Sequence, residues 1–509
     1  MLEKCKEYGQ IVLEKCNKLR KKCWKSVIFC PSIVEFTYFL YICSRIAIYN
    51  IKAMITRKKE TDMRDFFLHD NRALLVEGAR QTGKTFSIRR VGKECFDTFV
   101  EINFYEQPDA LALFANFTSA KDILMRLSTL TKKELKPGKT LIFFDEVQEC
   151  REIVTAVKFL VDEGSFRYVL SGSLLGVELK DIKSVPVGYL KVMQMYPLDM
   201  EEFAEAIGIG RNVIDSLRQS YNTHTAVDSY IHERMLEMTR LYLIIGGMPA
   251  AVQKFIDSNN LRHVAEIQRD IVALYRRDIS KYDPGHKLNI EEIFDLIPSE
   301  LNAKNKRFIL KNLNEKARFS RYEDSFLWLK DAGVAIPTYN VEEPRIPLLL
   351  SKQRNLFKLF LNDVGLLASM YAGDIQQLLL RNETTINNGS IYENLVAQEL
   401  YAHGLAGYSN SLYYFNSKKQ GELDFVVEYE GSILPIEVKS GKDYHRHNAL
   451  SGVMSNPEYS IPRAFTLCQG NVEAVGNVVY LPIYMVMFIQ HNTRRDGNDT
   501  YKFDLTGLA

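Results

Sequence analysis

Nine consecutive residues carry the most specific chemistry in the chain: Gly78-Ala79-Arg80-Gln81-Thr82-Gly83-Lys84-Thr85-Phe86. This is the GxxxxGKT pattern, whose glycines let backbone N–H groups curl around phosphate oxygens. The helix start that follows adds its dipole to the same anion. Lys84 is expected to reach the β- and γ-phosphates, and the Thr85 hydroxyl to ligate Mg²⁺. Further along, an apolar run ends in Asp145-Glu146. Asp145 would hold the Mg²⁺ shell, and Glu146 would orient or deprotonate an attacking water. A third run, Phe166 to Leu170, ends in Ser171-Gly172-Ser173. Ser171 or Ser173 is expected to sense the γ-phosphate from a strand lying between the other two. The cofactors this implies are ATP and Mg²⁺.

A second group of reactive side chains lies near the C-terminus. Gly421-Glu422-Leu423-Asp424 and Ile436-Glu437-Val438-Lys439 stand in two runs of strand character. Alternation puts Glu437 and Lys439 on one face. Asp424 lies a hairpin's distance upstream, so the three side chains can converge. Cross-strand salt pairing is the plain alternative. His445 and His447 read as surface histidines.

These residues need elements to hold them. Ala73–Glu77 and Thr140–Phe144 have the look of buried strands entering the loop and the acidic pair. Residues 200–285 are helix-rich, broken at Gly246-Gly247-Met248-Pro249, as a lid over the nucleotide would be. From Asn289 the pattern suggests three short helices (289–301, 305–315 and 321–332) and a strand-like arm from Gly333 to Tyr339. That resembles a winged helix-turn-helix. Lys304, Lys306, Arg307, Lys311, Lys316, Arg318 and Arg321, interleaved with Phe308, Phe319 and Tyr322, would form either a DNA-binding face or a solvated basic face on a packing module.

The motifs resemble those of prokaryotic AAA-family ATPases with AAA_14 plus DUF4143 architecture. The matching segments are Leu75–Thr85, Phe144–Gln148, Leu170–Ser173, Tyr196–Phe203, Gly246–Pro249, Tyr275–Ile279 and Phe357–Leu367. One departure is Gly188-Tyr189, where the family usually has Gly-Arg. If that arginine assists γ-phosphate chemistry, hydrolysis here would be slow or would use another arginine. The segment 391–442 resembles PD-(D/E)xK nucleases. That resemblance implies Asp424 and Glu437 as Mg²⁺ ligands, Glu393 as an accessory acid and Lys439 as the catalytic lysine.

The expected architecture is α/β multidomain: an N-terminal extension (1–53), a P-loop NTPase core (54–205), a helical lid (206–285), a winged-helix-like module (286–370) and a restriction-endonuclease-like α/β domain (371–509). Two functions follow from it. One is an ATPase whose nucleotide state gates a nuclease-like domain acting on DNA. The other is a regulatory switch whose C-terminal domain binds a protein partner.

Composition bounds these readings. The chain has 509 residues, 46% hydrophobic and 25% charged, with formal net charge +2. Those values exclude disordered, collagen-like and polytopic membrane classes. Eight cysteines without a CxxC pair fit a reducing, cytoplasmic setting. Residues 1–60 hold 13 Lys/Arg against 5 Asp/Glu, so the rest of the chain is net negative. A basic helix and an apolar run from Val27 to Ile51 read either as a peripheral membrane anchor or as an accessory extension before Met54.

Overall fold

The computed structural model describes residues 55–131, 134–173, 188–282, 287–303, 305–313, 315, 318–371, 378–379, 389–407, 409–441 and 443–491. The expected N-terminal extension lies outside the described residues, as do Lys304 and Lys316. Among the described residues, no helix is long and apolar enough to cross a membrane. Ile55 to Ala509 forms one compact unit.

Odd and even positions of the early strands are apolar alike, as in Leu74-Leu75-Val76 and Leu141-Ile142-Phe143-Phe144. Such strands need cover on both faces, the condition of a parallel sheet wrapped in helices. Five strands meet it: β1 (Ala73–Glu77), β2 (Thr98–Asn103), β3 (Thr140–Asp145), β4 (Arg167–Ser171) and β5 (Leu190–Gln194). All neighbours are parallel, in the order β2-β3-β4-β1-β5. Leu74, Val76, Leu141 and Phe143 pack with Met63 of α1 (Lys58–His69) and Ile88 and Val91 of α2 (Lys84–Cys95). Leu75, Ile142 and Phe144 pack on the opposite face with Leu127 of α3 (Ala120–Thr131) and Ile153 of α4 (Glu152–Glu163). The strand ending at Ser171 lies between the one entering the P-loop and the one ending at Asp145.

Five helices follow: α5 (Met200–Ala206), α6 (Arg211–Thr223), α7 (Ser229–Ile245), α8 (Pro249–Ser258) and α9 (Leu261–Tyr282). Asp199 starts α5 through a capping box with Glu202. The break expected at Gly246-Gly247 is there, and close approach explains it. A Cβ on Gly247 would lie 2.0 Å from the Leu198 carbonyl oxygen, and one on Gly246 would lie 2.2 Å from Asp363 Oδ1.

The remaining chain adds α10 (Lys287–Asn302), α11 (Phe319–Asp331), α12 (Val364–Met370), α13 (Gly389–Ala402) and α14 (Asn448–Met454). An eight-stranded sheet runs β12-β13-β11-β10-β9-β8-β6-β7. Its strands are β6 (Ala335–Val341), β7 (Lys352–Leu361), β8 (Leu412–Ser417), β9 (Gly421–Tyr429), β10 (Ser432–Val438), β11 (Ala464–Cys468), β12 (Glu473–Val475) and β13 (Val478–Pro482).

Two sequence expectations change here. No α-helix forms over residues 305–313, which hold only a 3-10 turn at Leu310–Asn312. Phe308 is instead drawn into the core, its N–H bonded to the Phe357 carbonyl at 3.0 Å and its ring packed on Phe326 and Phe357. The strand-like arm is also no free wing. β6 pairs antiparallel with β7 and parallel with β8, so the hairpin belongs to the C-terminal sheet. The boundary expected at 370/371 therefore falls inside one body, whose apolar core runs from Phe203 and Ile245 to Phe360 and Leu481.

Candidate functional site

The GxxxxGKT segment leaves β1 at its C-terminal end. Gly78 has φ +145° and faces the Met195 carbonyl oxygen so closely that a Cβ would lie 2.1 Å from it. Gln81 and Gly83 also take positive φ, and the Thr82 hydroxyl donates to the Ala79 carbonyl at 2.9 Å. The loop is thus tightly wound before α2 begins at Lys84. Lys84 Nζ donates to the carbonyls of Gly78 and Ala79, each at 2.9 Å, and burial pushes its ammonium down to about 8. A buried cation with only carbonyl partners suits an incoming anion.

Asp145 is buried at the end of β3, where three side chains donate to it. Thr85 Oγ1 reaches Oδ2 at 3.1 Å, Asn103 Nδ2 reaches the same oxygen at 3.3 Å, and Ser171 Oγ bonds Oδ1. Burial, together with neighbouring Glu146, raises the Asp145 pKa, and the Ser171 and Thr85 bonds oppose the rise. Glu146 adopts φ +55° and accepts from Gln148 at 2.5 Å and from Ser173 at 3.4 Å. Of the two serines, Ser171 holds the aspartate and Ser173 reaches the glutamate. The Phe86 side chain is 53% exposed. This donor set fits ATP with Mg²⁺: Thr85 and Asp145 lie side by side and would hold the cation, and Lys84 lies beside the loop that would cradle phosphate. When bound, Mg²⁺ supplies charge neutralisation at the phosphates.

The C-terminal residues also converge. β9 and β10 are antiparallel neighbours, and Asp424 Oδ2 accepts from the Val438 N–H at 2.8 Å. Lys439 Nζ lies 2.6 Å from Glu437 Oε1. Glu393, on α13, binds Lys306 and Lys358. Among the described residues, no group of three or more His, Cys, Asp or Glu side chains is arranged to hold a metal ion.

Residues 70–204 match the AAA_14 family, an AAA domain, and residues 388–485 match DUF4143, a domain of unknown function. The chain thus has the AAA_14 plus DUF4143 architecture, an AAA domain with a P-loop followed by a domain of unknown function. A further domain of unknown function, DUF8612, matches residues 236–379 between them. No curated protein shows a significant match. Among solved structures, the chain is similar to the Walker-type ATPase PABY2304 of Pyrococcus abyssi: 13% identity, 62% of this chain, 96% of that one, TM-score 0.39. It is also similar to the Thermotoga maritima RuvB Holliday junction branch migration motor: 14% identity, 58% and 91% coverage, TM-score 0.27. A third likeness is to the Aeropyrum pernix ORC1 protein in complex with DNA: 13% identity, 65% and 93% coverage, TM-score 0.24.

The AAA domain is tied to the rest of the chain at the P-loop itself. Arg80 Nη1 lies 2.7 Å from Asp278 Oδ1 on α9, and the Tyr275 hydroxyl donates to the Arg80 carbonyl at 3.2 Å. Gly333, in the turn between α11 and β6, sits so close that a Cβ there would be 3.1 Å from the Ala79 nitrogen. Arg57 is buried against the loop from the other end of the chain. Its guanidinium donates to the Thr82 carbonyl at 2.8 Å, the Tyr196 carbonyl at 2.7 Å and Glu202 at 3.0 Å. Between the P-loop and the C-terminal body lies a cavity of about 210 Å³, bordered by Ala79, Tyr196, Gly333, Asn362 and Tyr401.

Sequence reading missed Arg57, Asn103 and Asp278. Asn103 ends β2 beside β3 and was findable only once that pairing was known. Asp278 lay within the Tyr275–Ile279 resemblance, but nothing in its spacing said that it faces the P-loop. Tyr189, the residue at the family's arginine position, precedes β5 and bonds through its carbonyl to the Ala73 N–H at 2.9 Å. It lies at the start of parallel strands whose far ends carry the nucleotide loop, a strand length of roughly 16 Å away. An arginine at 189 would therefore not reach the phosphates held by its own chain.

Proposed function

We propose that this ATPase is a nucleotide-operated switch in which Mg²⁺-ATP at Lys84, Thr85 and Asp145 sets the position of the C-terminal body. The observation that carries the proposal is the triple contact on the P-loop, from Asp278, Tyr275 and Gly333. A loop that moves to wrap phosphate must either carry these groups along or release them, so the two halves share one equilibrium. The cavity beside the contacts leaves room for that movement, because close-packed interiors otherwise resist small shifts. Hydrolysis would proceed with Glu146 orienting water, and the body would bind a protein partner in one of its two positions.

Hydrogen exchange tests this. Addition of a slowly hydrolysed ATP analogue is expected to change protection in residues 270–280 and 330–340 as well as at the P-loop. Arg80→Ala and Asp278→Ala, combined in a double-mutant cycle, should show coupling of about 1 kcal/mol in nucleotide affinity. Exchange changes confined to residues 70–204 would refute the switch.

A second reading is favoured by the convergence of Asp424, Glu437 and Lys439: the C-terminal body cuts DNA, with Lys311, Arg318 and Arg321 as its exposed basic contacts. Phe308 and Tyr322 are buried and so do not stack on bases. Mg²⁺-dependent cleavage of plasmid DNA that is lost in Asp424→Ala would establish that reading. Duplex binding that weakens steeply with salt would support its DNA contact. The switch reading expects neither.

A further inference from the structure

The carboxylates of the C-terminal body close on lysines of the chain itself. Lys358, on β7, is fully buried. Its Nζ lies 2.8 Å from Glu422 Oε1, 3.3 Å from Glu393 Oε2 and 3.9 Å from Asp424 Oδ1. The Tyr414 ring covers it at 5.1 Å. Lys306 binds the other Glu393 oxygen, and Lys439 holds Glu437 Oε1. Asp424 Oδ2 is taken by the Val438 N–H. We infer that Lys358 is the resident cation of this pocket: Glu393, Glu422 and Asp424 hold its ammonium, and Glu437 pairs with Lys439, where a nuclease would hold a divalent metal.

Three physical arguments converge on this. The first is charge. Glu393, Glu422, Asp424 and Glu437 face Lys306, Lys358 and Lys439, which leaves one formal negative charge. A divalent cation would overshoot it and meet three ammonium groups at close range. The second is ligand supply. Of the oxygens that a metal would use, Glu437 Oε2 is buried without a partner, whereas Asp424 Oδ2 accepts from the Val438 N–H and both Glu393 oxygens pair with lysines. Mg²⁺ wants octahedral oxygen coordination and keeps several of its waters. With Lys358 buried among the carboxylates, most of these oxygens are already taken. The third is mutual need. A buried ammonium and buried carboxylates are each costly alone, and pairing them offsets that cost.

The arrangement also gives the hairpin a purpose. β7 lies outside the β8–β13 run that supplies Glu422, Asp424 and Glu437, and Lys306 comes from the segment before α11. The middle of the chain therefore supplies the counter-charges of the C-terminal carboxylates and locks the two segments together.

Mn²⁺ binding to the full-length chain without nucleotide, read by electron paramagnetic resonance, tests the assignment. Asp145→Asn is used as background to silence the nucleotide site. The expected result is no bound Mn²⁺ in that variant at millimolar metal. One Mn²⁺ per chain, lost on adding Glu437→Gln, would overturn the assignment. A second measurement does not depend on metal. Lys358→Gln in excess EDTA is expected to lower Tm by roughly 5–10 °C, because it strands buried carboxylates. Adding Glu393→Gln should recover part of that loss, since one stranded charge is then gone. An unchanged Tm in Lys358→Gln would equally overturn it.

Discussion

Lys84→Ala is expected to lower ATP turnover by on the order of 10²- to 10³-fold, the scale of losing one preorganised charge donor at a reacting phosphate. Folding should survive. Lys84 Nζ spends its bonds on the carbonyls of Gly78 and Ala79, and carbonyl oxygens of a loop can turn to water when the ammonium is gone. The remaining fastenings of the P-loop do not involve Lys84. Arg57 holds the Thr82 carbonyl, Tyr275 holds the Arg80 carbonyl, and the Thr82 hydroxyl holds the Ala79 carbonyl. The expected signature is therefore a native-like Tm with turnover near background. Steady-state phosphate release at saturating Mg²⁺-ATP, compared with wild type and with Asp145→Asn, measures it. Turnover within threefold of wild type would mean that the hydrolytic site lies elsewhere. If the C-terminal exchange response to nucleotide also disappears in Lys84→Ala, the switch is driven from this loop.

How much of this was legible in the sequence follows from how local each feature is. The phosphate loop is a contiguous pattern, with glycines whose backbone conformation no other residue adopts cheaply, so Gly78 through Thr85 could be read directly. Asp145 and Ser171 were readable because each ends a short apolar strand, and strand ends in a parallel sheet gather at one edge. The strand order that places Ser171 beside Asp145 came only with the pairing. Asp424, Glu437 and Lys439 were placed correctly by alternation along a hairpin. What could not be read is that Lys358, on a strand 66 residues before Asp424, lies among these carboxylates. No local pattern announces a buried lysine whose partners come from later strands. The expected helix over 305–315 failed for a related reason. Its spacing was helical, but Phe308 gains more by packing between Phe326 and Phe357 than the segment would gain as a short exposed helix.

Two glycine-to-alanine changes inside helices are expected to act in opposite directions, and the contrast isolates what holds α12 to the end of α7. In an exposed helix the change gains about 1 kcal/mol from propensity. Gly452, in α14, has open space where a Cβ would go, so Gly452→Ala should be neutral or stabilising by up to that amount. Gly365, in the first turn of α12, faces backbone: a Cβ there would lie 2.5 Å from the Gly246 nitrogen and from the Ile245 carbonyl. No rotamer change relieves a backbone contact, so α12 would have to move away from the end of α7. Moving it breaks the bond from the Gly247 N–H to Asp363 Oδ2 at 2.6 Å, and the N-cap bond from Leu366 to Asp363 Oδ1 at 2.9 Å. Overpacking costs about 1–3 kcal/mol, and an orphaned buried carboxylate about as much again. That sum exceeds the propensity gain severalfold, so Gly365→Ala is expected to destabilise by roughly 3 kcal/mol or more. Urea unfolding of the two variants against wild type gives the comparison. Equal midpoints for Gly365→Ala and Gly452→Ala would mean that the Gly246–Gly247 turn and α12 are not in contact. A loss confined to Gly365→Ala would identify this glycine-on-glycine contact as one that holds α12 against the end of α7.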